Sequence, residues 1–180
     1  MTKSLILSKI DRIFLINQLR ILEILYPDES NQFSVKREAL ERGYELLYDS
    51  NYSSILDGDD ILTKKECIEV WNTMNMFAAI QKSMPKNMDI SKFPMTKFVG
   101  YDAITEAKFM NFAQYTVERL KKFEYVALNK LGNWNSNHQV RSTYLRMLKT
   151  WSTIPPRERL AMTLEQVSLV LTSAIDMENR

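Results

Sequence analysis

The 180-residue chain is long enough for one ordinary domain, and its 45% hydrophobic and 11% aromatic content supplies a sizeable core. Its 24 basic and 22 acidic side chains nearly cancel, which excludes the strong overall field that draws basic proteins to nucleic acid or anionic membranes. Four glycines and five prolines are too few for a turn-rich β protein, and the single cysteine, Cys67, excludes an internal disulfide framework or a cysteine-rich zinc site and fits a reducing cytoplasm.

The first helix is predicted over residues 4–26, where Pro27 stops it. Charges at Lys9, Asp11, Arg12, Arg20 and Glu23 interrupt its apolar residues. No run approaches the roughly 18 apolar residues of a membrane span, and no cleavage-site pattern follows, so a soluble, uncleaved protein with no membrane partner is expected. Ile6, Ile10, Ile13, Phe14, Asn17, Ile21 and Leu25 form one face and Leu15, Leu19, Leu22 and Tyr26 another, with Lys9, Arg12, Ile16, Arg20 and Glu23 left for solvent. Apolar residues around so much of a helix require cover on more than one side, from the rest of the chain or from a second subunit.

The second helix is predicted over 31–48, with Phe33, Val35, Ala39, Leu40, Leu46 and Leu47 inward. Its ridge Glu38, Glu41, Glu45 and Asp49 has the composition of a metal site, but Arg37 with Glu41 and Glu38 with Arg42 are i,i+4 ion pairs, and a ferritin-like centre needs histidines that are not here. Residues 49–61 form a loop whose Asp57, Gly58, Asp59 and Asp60 lack the spacing of a calcium loop. No metal or cofactor is expected.

Thr63 and Glu66 are spaced as a capping box that opens a third helix, and Leu62 and Cys67 are its hydrophobic staple, which makes Cys67 a packing residue. That helix stops before Pro85, and 84–97 is an irregular connector with two prolines. A fourth helix is predicted from the N-cap Asp102 to near Gly132, with Glu106 in its first turn and two apolar faces that demand burial on both sides. Ser136 and Gln139 suggest a second capping box, which places His138 in the first turn of a fifth helix ending before Pro155 and Pro156. Thr163 and Gln166, stapled by Met162 and Val167, open the sixth. The expected fold is all-α: a single multihelical domain over 1–180 with about six helices.

No phosphate loop, nucleophile elbow or dinucleotide fingerprint is present, and no catalytic residue is assigned. His138 is the one histidine, and Trp134 lies beside it in a loop. Stacking and proton transfer are the functional reading of that pair; a core anchor and a solvated first-turn residue are the plain one. With Tyr101, Asp102 and Glu106 they make the candidate ligand or partner site. Arg119, Lys121, Lys122, Arg141, Arg146 and Lys149 supply a modest basic surface.

RIFLINQ at 12–18, ERGY at 41–44, EC at 66–67 with MNMFAA at 74–79, FVGYDAITEA at 98–107, and YLRMLKTW at 144–151 followed by PR at 156–157 occur in an order and spacing that resemble the YfbU-like family of bacterial proteins. The resemblance implies a multihelical soluble fold and carries no reaction or catalytic residues. The segment 84–97 and the residues before Arg12 depart from it. The leading expectation is a non-enzymatic, self-associating regulatory or interaction protein, a homo-oligomer of the cytoplasm. The alternative is an enzyme or nucleic-acid-associated protein using a cleft near Tyr101, Asp102, Trp134 and His138.

Overall fold

The structure, a computed structural model, describes residues 5–55, 58–85, 88–89, 91–93, 95–128 and 134–175. Among the described residues there are eight α-helices and no named strand: α1 Lys9–Leu25, α2 Ser30–Arg42, α3 Tyr48–Asn51, α4 Lys64–Ser83, α5 Ala107–Glu118, α6 Glu124–Leu128, α7 Arg141–Thr153 and α8 Leu164–Thr172. The all-helical expectation is met, with more and shorter helices than six. The chain divides into two compact units, Met1–Ile61 and Leu62–Arg180.

In the first unit α1 packs along α2. Ser8 caps α1 in a capping box with Asp11, so the helix starts later than residue 4. Leu19, Leu40 and Tyr48 form a small core, with Leu15, Ile16, Leu22 and Phe33 against it. The stripe assigned to solvent instead faces α2. Arg12 donates to the Leu40 carbonyl at 3.1 Å, Arg37 pairs with Glu23 at 2.7 Å and with Glu41 at 3.0 Å, and Arg20 reaches Glu41 at 3.2 Å. The guanidinium groups of Arg37 foremost and of Arg20 hold the Glu41 carboxyl below its ordinary range, so this part of the acidic ridge is spent on ion pairs. The burial of the first helix on more than one side is therefore not met within its unit. Leu19 is its one buried residue, and the face bearing Ile10, Phe14 and Ile24 is 65%, 65% and 80% exposed.

The second predicted helix ends early because Gly43 adopts the left-handed conformation (φ 69°) and, with Tyr44, returns backbone N–H groups to the Ala39 and Leu40 carbonyls. Leu46, beyond that stop, is 91% exposed rather than inward. Of the acidic tetrad Asp57 lies outside the described residues, and Gly58–Asp60 form a single 3-10 turn. No cluster of potential metal ligands occurs among the described residues.

The second unit is built around α4. Val70, Thr73, Met74, Met76, Phe77, Ala78, Ala79 and Ile80 of that helix are all buried, and α5, α6, α7 and α8 pack around it. The Thr63–Glu66 and Thr163–Gln166 capping boxes both form as predicted. Leu62 packs against the core while the Cys67 thiol lies at its carbonyl, and Met162 and Val167 are buried. The fourth predicted helix begins four residues late, with its N-cap at Glu106 rather than Asp102, and breaks at Lys121 and Phe123, both at positive φ. Its retained part, α5, buries one stripe, Phe109, Ala113, Thr116 and Val117, with Met110 and Phe112 only partly buried beside it, so the expected burial on two sides is met in part; its predicted end near Gly132 lies outside the described residues. In the connector, Phe93 and Met95 pack on the core, and Asp89 accepts from the N–H and hydroxyl of Ser91.

Candidate functional site

The site grows from a backbone crossing that only glycine permits. Gly100 has φ 92°, and a Cβ there would lie 1.9 Å from the Trp134 carbonyl oxygen. This close approach lets Tyr101 form a bridge with the 134–136 segment: its N–H donates to Trp134 O, and its own carbonyl accepts from Ser136 N–H, both at 3.0 Å. The Tyr144 hydroxyl closes the other side, donating to Gly100 O at 3.0 Å and accepting from Val99 N–H at 3.3 Å. Extended backbone in an all-helical protein thus finds partners without a sheet.

Tyr101 is fully buried, ringed by Phe98, Phe109 and Tyr144 with centroids 5.4–5.7 Å away. Its place beside Gly100, which helix capping does not explain, is that of a central core residue. Burial raises the hydroxyl pKa of both Tyr101 and Tyr144, so neither is a phenolate at neutral pH.

The two carboxylates are spent on backbone. Asp102 Oδ1 accepts from Thr105 N–H at 2.7 Å, from the Thr105 hydroxyl at 2.7 Å and from Ile104 N–H at 3.1 Å. The Thr105 N–H foremost, with the Thr105 hydroxyl and the Ile104 N–H, lowers the Asp102 pKa. Asp102 caps a turn over residues 103–105, and α5 starts only at Ala107.

Glu106 does something no local pattern announces. Its Oε1 accepts from Val140 N–H at 3.1 Å and Arg141 N–H at 2.9 Å, and its Oε2 accepts from Asp102 N–H at 3.1 Å. It is a buried carboxylate at the start of α7, where free N–H groups and the helix dipole favour negative charge. The Ser136–Gln139 capping box is overturned by this arrangement. Ser136 Oγ donates instead to the His138 carbonyl at 2.6 Å, α7 begins at Arg141, and His138 is an exposed residue of the preceding loop.

Trp134 is half-buried against Phe98, and its indole N–H donates to Glu118 Oε1 at 2.7 Å. Asn135 Oδ1 accepts from Ala103 and Asn137 N–H groups. Beneath this junction Arg141 makes a two-pronged pair with Glu69, at 2.7 and 2.9 Å, and its guanidinium sits 4.2 Å from the Phe109 centroid. Lys108 pairs with Glu66 at 2.9 Å. Glu69, Glu118 and Asn135 carry no signal of this role in the sequence, while helical spacing with Val140, Leu148 and Trp151 marks Tyr144 as a buried position, which it is. All five candidate residues do gather in one place. What they assemble is a hydrogen-bonded fastening of the 98–106 segment, the 134–140 loop and α7, in which His138 is the exposed member.

A separate open groove of about 520 Å³ lies elsewhere on the second unit, lined by Ala78, Ala79, Gln81, Lys82, Tyr125 and Leu160. No helix among the described residues is long and apolar enough to cross a membrane.

The geometry defines a helical protein in which Tyr101, Asp102, Glu106 and Trp134 join the 98–106 segment, the 134–140 loop and α7. The chain belongs to the YfbU domain family, whose match spans residues 5–172. The residues before Arg12 that looked like a departure from the family therefore fall largely inside its span. The chain is 31% identical over 151 residues to the UPF0304 protein MJECS11 of Methanocaldococcus jannaschii, covering 81% of this chain and 87% of the relative. It is 25% identical over 158 residues to a UPF0304 protein of Histophilus somni, covering 87% of this chain and 93% of that relative. Neither name states a reaction.

Proposed function

We propose that this is a non-enzymatic, self-associating regulatory or interaction protein. The observation that carries the reading is the bare apolar face of α1, which presents Ile10, Phe14 and Ile24 to solvent on a helix whose opposite side packs on α2. Contiguous apolar patches beyond a few hundred Å² mark interaction surfaces. The Tyr101, Asp102 and Glu106 junction supports the same reading from the other direction, because its carboxylate oxygens are held by backbone N–H groups rather than left for proton transfer.

A nucleic-acid role draws less support, since Arg141 is committed to Glu69, and Arg146 donates to Thr143 and to the Ala174 carbonyl. One domain over 1–180 belongs to the same proposal, supported by a family span that crosses the boundary at Ile61. So does a cytoplasmic setting, supported by the lone free thiol of Cys67. Light scattering across a concentration series tests self-association. A mass at least twice that of one chain at high micromolar concentration is expected, and a strict monomer there overturns the reading.

A further inference from the structure

The exposed face of α1 has an internal symmetry that names its partner. α1 runs for 17 residues from Lys9 to Leu25, and Asn17 is its central residue. Isoleucines stand four residues to either side, at Ile13 and Ile21, and seven residues to either side, at Ile10 and Ile24. Steps of four and seven return to one helical face, so the four isoleucines flank a single central polar residue on one stripe. All four isoleucines are exposed, and Phe14 widens the stripe. A stripe that reads the same outward in both directions is self-complementary to a copy running the opposite way. Isologous interfaces have this property, with residue i meeting j and j meeting i.

We propose that a second copy of this chain covers this face, its α1 packed antiparallel to the first, with the two-fold axis at Asn17. The proposal rests on the self-association reading and deepens it. In this register Ile10 meets Ile24 of the partner subunit, Ile13 meets Ile21 of the partner subunit, and the two Asn17 side chains face one another across the axis. A lone asparagine within an apolar seam fixes register, because any slip buries its amide without a partner. The opposed helices also cancel their dipoles end to end. A standard stable interface buries about 800 Å² on each partner, and the exposed Ile10, Ile13, Phe14, Ile21 and Ile24 are the apolar surface that α1 brings to it.

Helices packed 8–10 Å apart bring facing Cα atoms within disulfide reach, so cysteine cross-linking in the full-length chain, in a Cys67→Ser background, reads the geometry directly. Under mild oxidation Asn17→Cys should convert to a covalent dimer. Ile10→Cys and Ile24→Cys should not cross-link alone, yet should cross-link when mixed. Ile13→Asp should halve the mass seen by light scattering while the helical circular dichroism is retained. Cross-linking of Ile10→Cys with itself shows a parallel pair and overturns the proposal. A parent protein that is oligomeric, gives no Asn17→Cys cross-link and keeps its mass in Ile13→Asp associates through another surface. That outcome overturns the α1 pairing and leaves self-association standing. A strictly monomeric parent overturns both.

Discussion

Glu106 Oε1 accepts the backbone N–H of Arg141 at 2.9 Å, so the first turn of α7 is capped by a side chain 35 residues earlier in the chain. Glu106→Ala strands the N–H groups of Asp102 and Val140 in a buried setting and that of Arg141 in a partly buried one. It is expected to cost about 2–4 kcal/mol, the range of a lost cap combined with unsatisfied buried donors. Glu106→Gln keeps an acceptor but loses the charge at the helix start, and should cost less. Urea denaturation of the three proteins gives the ranking.

Gly100→Ala should be among the most damaging single substitutions. The added Cβ meets a backbone oxygen at 1.9 Å, so no side-chain rotation relieves it, and the positive φ adds its own strain. A loss above about 3 kcal/mol is expected, or failure to fold. Gly58→Ala, which meets nothing within 4 Å, shares the positive φ without the collision and should cost only about 1 kcal/mol. Comparing their melting temperatures separates collision from backbone strain.

The Glu66 carboxyl is held down to about 2 from an ordinary 4.5, first by its hydrogen bond with Lys108 and then by Thr63. Because the folded-state value is the lower one, this stabilisation is complete above about pH 4.5 and is lost as the pH falls towards about 2. Glu66→Gln should flatten that acid limb, lowering stability more at neutral pH, where the ionised carboxylate contributes fully, than at acid pH, where its contribution is already fading. Urea midpoints at about pH 6 and about pH 3, compared with the parent, measure it.

Trp134 and His138 should respond differently to substitution. Trp134→Phe removes the bond from the indole N–H to Glu118 and should cost about 1–2 kcal/mol. His138→Ala, at an exposed loop position, should stay within about 0.5 kcal/mol. Thermal melts report both, and loss of binding to any ligand without loss of stability in Trp134→Phe would restore the site reading.

What the sequence revealed depended on how far apart the interacting residues lie. Thr63 with Glu66 and Thr163 with Gln166 are local, three residues apart, and were legible. Ser136 with Gln139 has the same spacing but lost to a competitor, because Glu106 reached the α7 N–H groups from another segment. Periodicity identified the apolar faces of α1 without ordering them. The stripe rich in charge was read as solvated, yet Arg12, Arg20 and Glu23 form the polar seam with α2. Tyr101 was visible as an anomaly, but its cause, a glycine letting the Trp134 carbonyl approach, is a tertiary fact.

The borrowed cap of α7 also bears on the order of assembly. α4 and α8 carry their own starting signals and can nucleate wherever their residues meet. The first turn of α7 lacks such a signal and must wait for a loop of more than thirty residues to close, an entropic toll that precedes any reward. Residues near Val140 are therefore expected to acquire structure late in refolding, with mutations at Glu106 accelerating unfolding far more than they slow folding.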